Sequence, residues 1–218
     1  MFTFLIFLLL IPVFLFFVSV ILLPFHFTAY SIFNIFTVPR ELIRIFSNKN
    51  LRINHALEHA TINVMEEEYG QFYNLDGYAR EDGFVIRGNV PPRLIRFAAE
   101  IGLDRLKKGE CNLVVHRRCG TTVAIVNFIS SIIFLIFLFR FGMFNLVGII
   151  IALILASLAG PILGGIVQRF LTTSCDVQGM EIIGIEERAV LFGPFPREYI
   201  IYTRNLDYGK SGRFYEYK

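Results

Sequence analysis

Tryptophan is absent from this sequence, and cysteine and histidine are scarce, with 3 and 4 copies among 218 residues. An odd, widely spaced set of cysteines excludes the disulfide framework that staples small secreted domains. It fits thiols kept reduced on the cytoplasmic side of a membrane, or bound to metal. Charge is also thin: Asp, Glu, Lys and Arg make up 18% of the chain, and a net charge of +3 is too small and too diffuse to argue for a nucleic-acid partner. Against these deficits stand 55% hydrophobic residues, 24 phenylalanines and a mean hydropathy of +0.58. Such a chain cannot be all soluble core, and a lipid bilayer is its implied surrounding.

Three apolar runs meet that expectation. Residues 2–23, "FTFLIFLLLIPVFLFFVSVILL", carry no charge and are long enough to cross a hydrocarbon core of roughly 30 Å. Neither a basic n-region nor a small-residue cleavage site accompanies them, so they read as an uncleaved anchor. Residues 124–140, "AIVNFISSIIFLIFLFR", and 144–167, "FNLVGIIIALILASLAGPILGGIV", read as two more spans. The short link between them makes an antiparallel hairpin, and Gly160, Pro161, Gly164 and Gly165 suggest a kink and close helix contact. Residues 24–47 mix apolar residues with Pro24, Pro39, Arg40 and Arg44 and read as an interfacial amphipathic segment.

Basic residues set the expected orientation. Residues 1–38 hold no Lys or Arg, whereas 39–121 hold 13 of the 21 and 169–218 hold 7. The positive-inside rule places those two regions in the cytoplasm and the N-terminus outside a bacterial inner membrane. The expected fold class is a mainly α membrane protein of about three transmembrane helices, with a small cytoplasmic α+β domain inserted between the first and second. The expected divisions are an anchor at 1–23, the interfacial segment at 24–47, the α+β domain at 48–122, the transmembrane hairpin at 123–168 and a cytoplasmic tail at 169–218.

Within 48–122, "NKNLRINHALEHATINVMEEEYG" reads as a helix over about 51–69, capped by Asn48 or Asn50 and stopped by Gly70. "GYAREDGFVIRGNV" reads as a short hairpin, "PPRLIRFAAEIGLDRLKKGE" as an amphipathic helix with Pro92 in its first turn, and "CNLVVH" as a strand. In the tail, a helix is expected over about 176–188. "AVLFGPF" and "REYIIYTR" read as strands or extended pieces, and the tyrosine-rich, basic end "DYGKSGRFYEYK" either as a segment on the membrane surface or as a loosely ordered one.

Chemistry is concentrated in "NHALEHATI", where His55 and His59 stand four apart and so share one side of a helix, with Glu58 beside the second. That spacing lets two imidazoles reach one metal ion. H-x-x-E-H is the inverted order of the zinc-peptidase helix motif, whose glutamate is a general base. On a solvated helix such a triplet arises by chance. Here the flanking residues make the face apolar, where unpaired imidazoles would cost roughly 1–3 kcal/mol each. A second cluster, "CNLVVHRRCGTT", offers His116 and Cys119, with Cys111 the weakest candidate. Three or four N and S donors suit Zn2+, with another transition metal possible. Arg117 and Arg118 read either as positive-inside anchors or, for Arg118 with Thr121, as a site for a lipid phosphate or substrate carboxylate near a helix N-terminus. Gln168, Arg169 and Thr172 read either as helix-end polarity or as groups approaching the site. Glu66 is a reserve ligand, and Cys175 and His26 read as bystanders.

Three segments in order, "HALEHATIN", "HRRCGTT" and "QRFLTT" (168–173), resemble the YqhQ-like group of predicted metal-dependent bacterial membrane proteins and a related cyanobacterial-type domain of unknown function. The resemblance spans roughly 50–185 and implies that His55, Glu58, His59, His116 and Cys119 belong to one site. The spacing of the first two motifs is longer than in YqhQ-like proteins and closer to the related domain. Two functions follow as expectations. One is a membrane-embedded zinc hydrolase with Glu58 as general base and a peptide or lipid-like substrate, although no residue matches the downstream glutamate ligand of inverted zinc peptidases. The other is a non-catalytic scaffold in which a closed zinc site clamps the domain and serves a membrane-protein partner. Spans almost free of charge argue against a transporter.

Overall fold

The computed structural model describes residues 2–70, 74–142, 144–190 and 195–206. The chain divides into two compact units, one of Met1–Glu41 with Gly120–Gly164, the other of Leu42–Cys119 with Gly165–Lys218.

The first unit is apolar. Its helices are α1 (Phe2–Ser47, whose last residues belong to the second unit), α4 (Gly120–Phe141) and α5 (Leu146–Val167). Each contains a stretch long and apolar enough to cross a membrane, which fits a membrane protein. The boundary expected at residue 23 is absent: α1 runs unbroken through Pro12, Pro24 and Pro39. Such prolines are tolerated in lipid-facing helices because neighbouring groups re-satisfy the backbone, and the Thr28 hydroxyl donates to the Pro24 carbonyl at 2.7 Å. Past Pro24 the helix buries polar groups instead of floating them at an interface. Asn34 donates to the Ser131 hydroxyl of α4 at 3.3 Å, and Phe27 meets Phe134 edge to face at 4.9 Å. In the hairpin, a Cβ on Gly160 would lie 2.1 Å from Val126 Cγ2 and one on Gly164 2.7 Å from Thr122 Cγ2, so small residues set the α4–α5 approach.

The second unit is built around α2 (Lys49–Tyr69), nearly all of whose residues up to Met65 are buried. The Asn48 side chain accepts from Leu51 N–H at 3.0 Å, and Gly70, at φ 72°, ends the helix in a conformation that favours glycine. Replacing Asn48 with alanine leaves that N–H without its cap and should cost about 1 kcal/mol, read as a lowered unfolding midpoint. Against α2 pack α3 (Pro92–Lys107) and a four-stranded antiparallel sheet of order β1-β2-β4-β3, with β1 Asp76–Arg80, β2 Gly83–Arg87, β3 Met180–Ala189 and β4 Arg197–Asn205. Gly102 of α3 rests on the Ala60 backbone. Asn54 of α2 locks the sheet in place: its amide donates to the carbonyls of Arg80 and Glu81 at the β1–β2 turn and accepts from the Thr203 hydroxyl of β4.

Four expectations are corrected here. The region after α5 is not a tail, because β3 and β4 complete the sheet and the mixed unit draws on both sides of the apolar hairpin. The helix expected over 176–188 is instead β3: Ile182, Ile183 and Ile185 favour a strand, Gly184 weakens a helix, and the nine residues of β4 supply a pairing partner that local sequence does not reveal. "CNLV" is a single 3-10 turn, Cys111–Val114, not a strand. Its carbonyls are taken by α2 side chains, Asn63 donating to Leu113 O at 2.9 Å and to Val115 O at 3.0 Å. And two of the cysteines are not thiols: Cys111 and Cys175 form a disulfide. Part of "AVLFGPF" and all of the tyrosine-rich end lie outside the described residues.

Candidate metal centre

His55, His59 and Asn63 form one stripe of α2 at four-residue intervals, and that stripe faces the 3-10 turn and the segment after α5. His59 Nδ1 lies 2.6 Å from the carbonyl of Val114, and His55 Nδ1 lies 2.9 Å from the carbonyl of Thr172. A carbonyl oxygen only accepts, so Nδ1 of each ring carries a proton, and in the neutral ring Nε2 is the bare nitrogen. This is how a protein fixes the tautomer and aim of ligating histidines. Thr172 ends a single π turn, Gln168–Thr172, that continues α5.

Cys119, buried and outside the disulfide, brings Sγ to 3.4 Å from His55 Nε2. One ligand atom from each of His55, His59 and Cys119 lies within 4.8 Å of the other two. His59 is fully buried, and burial holds its imidazole well below its ordinary pKa, with His55 adding to the fall; the neutral form is the one that binds metal. His59 Nε2, Glu58 Oε2 and Thr172 Oγ1 are buried with no hydrogen-bond partner among the described residues. Each such orphan costs about 1–3 kcal/mol, a cost that a ligand would relieve. Two imidazole nitrogens and one sulfur within 4.8 Å of one another, with His59 Nε2 buried and unpartnered among the described residues, fit a zinc-type ion.

Glu58 sits beside this trio, its Oε2 3.9 Å from His55 Nε2, too far for a hydrogen bond. Burial pushes its carboxyl up to about 8; His55 opposes the rise, while Cys119 and Asp76 add to it. Its other face is covered by β1. A Cβ on Gly77 would lie 2.8 Å from Glu58 Oε1 and 2.7 Å from Val85 O, so glycine is what lets the strand approach the carboxyl. Gly77→Ala should cost about 1–3 kcal/mol and move either the hairpin or Glu58, measurable as a fall of several degrees in the thermal midpoint of the detergent-solubilised protein.

His116 is the fourth expected ligand and stands slightly apart. Its ring centre is 6.0 Å from that of His59, and its Nε2 is 3.5 Å from Glu66 Oε1. Burial lowers its pKa while Glu66 opposes the shift. Its main chain is held at both ends by the buried Gln168 amide, which accepts from His116 N–H at 2.9 Å and donates to His116 O at 3.1 Å. Arg118 pairs with Glu66 and reaches Asn74, which accounts for its charge without a bound anion. Arg169 is exposed, with its guanidinium over the Phe170 ring, and Thr121 lies in the first turn of α4. His26 is exposed on α1. Sequence reasoning missed Asn63, although the His55–His59 stripe extended by four residues points to it. Gly77 left no signal, because its constraint is a non-local approach.

Residues 50–185 match the model of a family described as a domain of unknown function, DUF6391, and the chain belongs to that family. It is also 32% identical over 89 residues to an uncharacterized protein of Picosynechococcus sp. (strain ATCC 27264 / PCC 7002 / PR-6), a match that takes in 37% of this chain and 43% of that protein. The chain thus spans less than half the length of this curated relative. No solved structure matches.

Proposed function

We propose that this DUF6391 member is a membrane-embedded metal-dependent hydrolase, with Zn2+ held by His55, His59 and Cys119 and with Glu58 as general base. The observation that carries the reading is the incomplete ligand set. Three donors converge while the fourth candidate, His116, turns to Glu66, and the orphaned carboxyl oxygen of Glu58 lies alongside. Three protein ligands with a position left open are the pattern of catalytic zinc, whereas structural zinc closes its shell with four. Zinc bound there would supply Lewis acidity and lower the pKa of a water to about 7.

The chain's own residues supply the rest. The carbonyls of Val114 and Thr172 keep both imidazoles aimed inward. Glu58 would take a proton at Oε2 from the attacking water and deliver it to the leaving group; a divalent cation held beside it would favour the ionised form that this needs. The motif order suggests a peptide bond by analogy, and the membrane setting suits an amphiphilic or lipid-like substrate equally. Kinship with the YqhQ-like group rests on the three quoted motifs. Basic residues near the helix ends, Arg40, Arg44, Arg117, Arg118 and Arg169, favour the cytoplasmic face for the site.

A second reading has its own observation. His55, Glu58, His59, His116 and Cys119 are all at most 8% exposed, an enclosure that suits a structural zinc clamp in a scaffold. The test is metal removal. Full-length protein in detergent should carry one zinc per chain and cleave members of a panel of fluorogenic peptides and short-chain lipid esters. A strong chelator should abolish cleavage and added Zn2+ restore it. Bound zinc with no turnover on either substrate class, and chelation that lowers only the unfolding midpoint, would establish the scaffold instead.

A further inference from the structure

We propose that the Cys111–Cys175 disulfide is a redox control on the candidate metal site, a regulation that rests on the metal reading above. The two cysteines are 64 residues apart in sequence, and their bond links the two segments that aim the histidines. Cys111 opens the 3-10 turn that ends at Val114, whose carbonyl holds His59. Cys175 follows Thr172 by three residues, and the Thr172 carbonyl holds His55. The bond therefore ties one orienting carbonyl to the other at equal sequence distance on either side.

Other contacts hold the same segments. Gln168 binds the His116 main chain, Asn63 binds the turn, and Arg52 receives Ser174 N–H at its carbonyl and donates to Thr173 O. Opening the disulfide thus loosens the aim of both rings without dismantling the site. Loss of orienting contacts of this kind weakens metal binding by about 10–100-fold.

The bond is also placed to be opened. Both cysteines are only partly buried, unlike the fully enclosed metal-site residues. In the orientation proposed above, this unit faces the side of the membrane where glutathione and thioredoxin keep thiols reduced. Disulfides that do form there are mostly transient and redox-sensing or catalytic. A dithiol serves as the cellular reductant. One of its thiolates attacks a sulfur of the pair and forms a mixed disulfide, expelling the other cysteine as thiolate. The second thiol of the reductant then releases the first cysteine. Two electrons and two protons pass to Cys111 and Cys175, and the dithiol leaves oxidised.

The experiment uses full-length protein in detergent, loaded with Zn2+, with the disulfide state read by thiol alkylation and mass. A chromogenic chelator reports zinc affinity before and after reduction with tris(2-carboxyethyl)phosphine, and again after reoxidation. The oxidised wild type should hold zinc at least about tenfold more tightly than the reduced form, with recovery on reoxidation. The Cys111→Ser/Cys175→Ser double variant should match the reduced wild type and ignore the phosphine, which separates the disulfide from any direct attack on Cys119. If the double variant fails to fold, the reversible wild-type comparison decides. Equal affinity in both states, or no disulfide by mass in air-oxidised protein, overturns the control and leaves the metal centre standing. Oxidised protein that binds no zinc overturns both.

Discussion

Glu58→Gln should leave the zinc content of the purified protein at its wild-type value while lowering hydrolysis by about 10²–10⁴-fold, the usual contribution of a positioned general base. The substitution keeps shape and volume, so the packing of the side chain against Gly77 persists. It removes the one property the mechanism needs, an oxygen that takes up a proton. Structural cost should be small, because burial already holds the Glu58 carboxyl up at about 8, so these surroundings favour a neutral group. The measurements are metal analysis and turnover on one preparation. Unimpaired turnover with full zinc occupancy would remove Glu58 from the chemistry, and loss of zinc would make it a ligand.

His59→Ala should abolish stoichiometric zinc and, with it, all turnover. His59 is fully buried, is held neutral by that burial, and offers an Nε2 with no other partner among the described residues. Without it, His55 and Cys119 remain as two donors, below the three that zinc sites employ. His116 is poorly placed to substitute, since its Nε2 faces Glu66 and its backbone is clasped by Gln168. The variant also frees the Val114 carbonyl and leaves a cavity, so a lowered unfolding midpoint should accompany the loss of metal. Circular dichroism separates a folded, metal-free protein from an unfolded one. Retention of one zinc per chain by folded His59→Ala would show that the converging trio is not the binding site.

Much of the candidate site was legible because its signal is local. Two histidines four apart on an apolar helix announce a shared direction, and Asn48 and Gly70 announce where that helix begins and ends. The turn bearing His116 and Cys119 was legible only as a cluster of donor types. Which of its members joins the imidazole pair depends on the Val114 carbonyl, Gln168 and Glu66, all of which arrive from elsewhere in the chain. The strand at Met180–Ala189 was missed for the same reason: its partner, β4, outweighs weak local preference.

By itself the sequence determined that the chain carries three runs long and apolar enough to cross a membrane, and that His55 and His59 face one way, since a helical period allows nothing else. Only the tertiary structure decided that Cys119 completes the trio while His116 turns aside, that Cys111 and Cys175 are joined, and that the chain after α5 finishes the sheet. Those outcomes are set by hydrogen-bond and covalent partners far apart along the chain, and no local pattern of residues encodes which distant group will arrive.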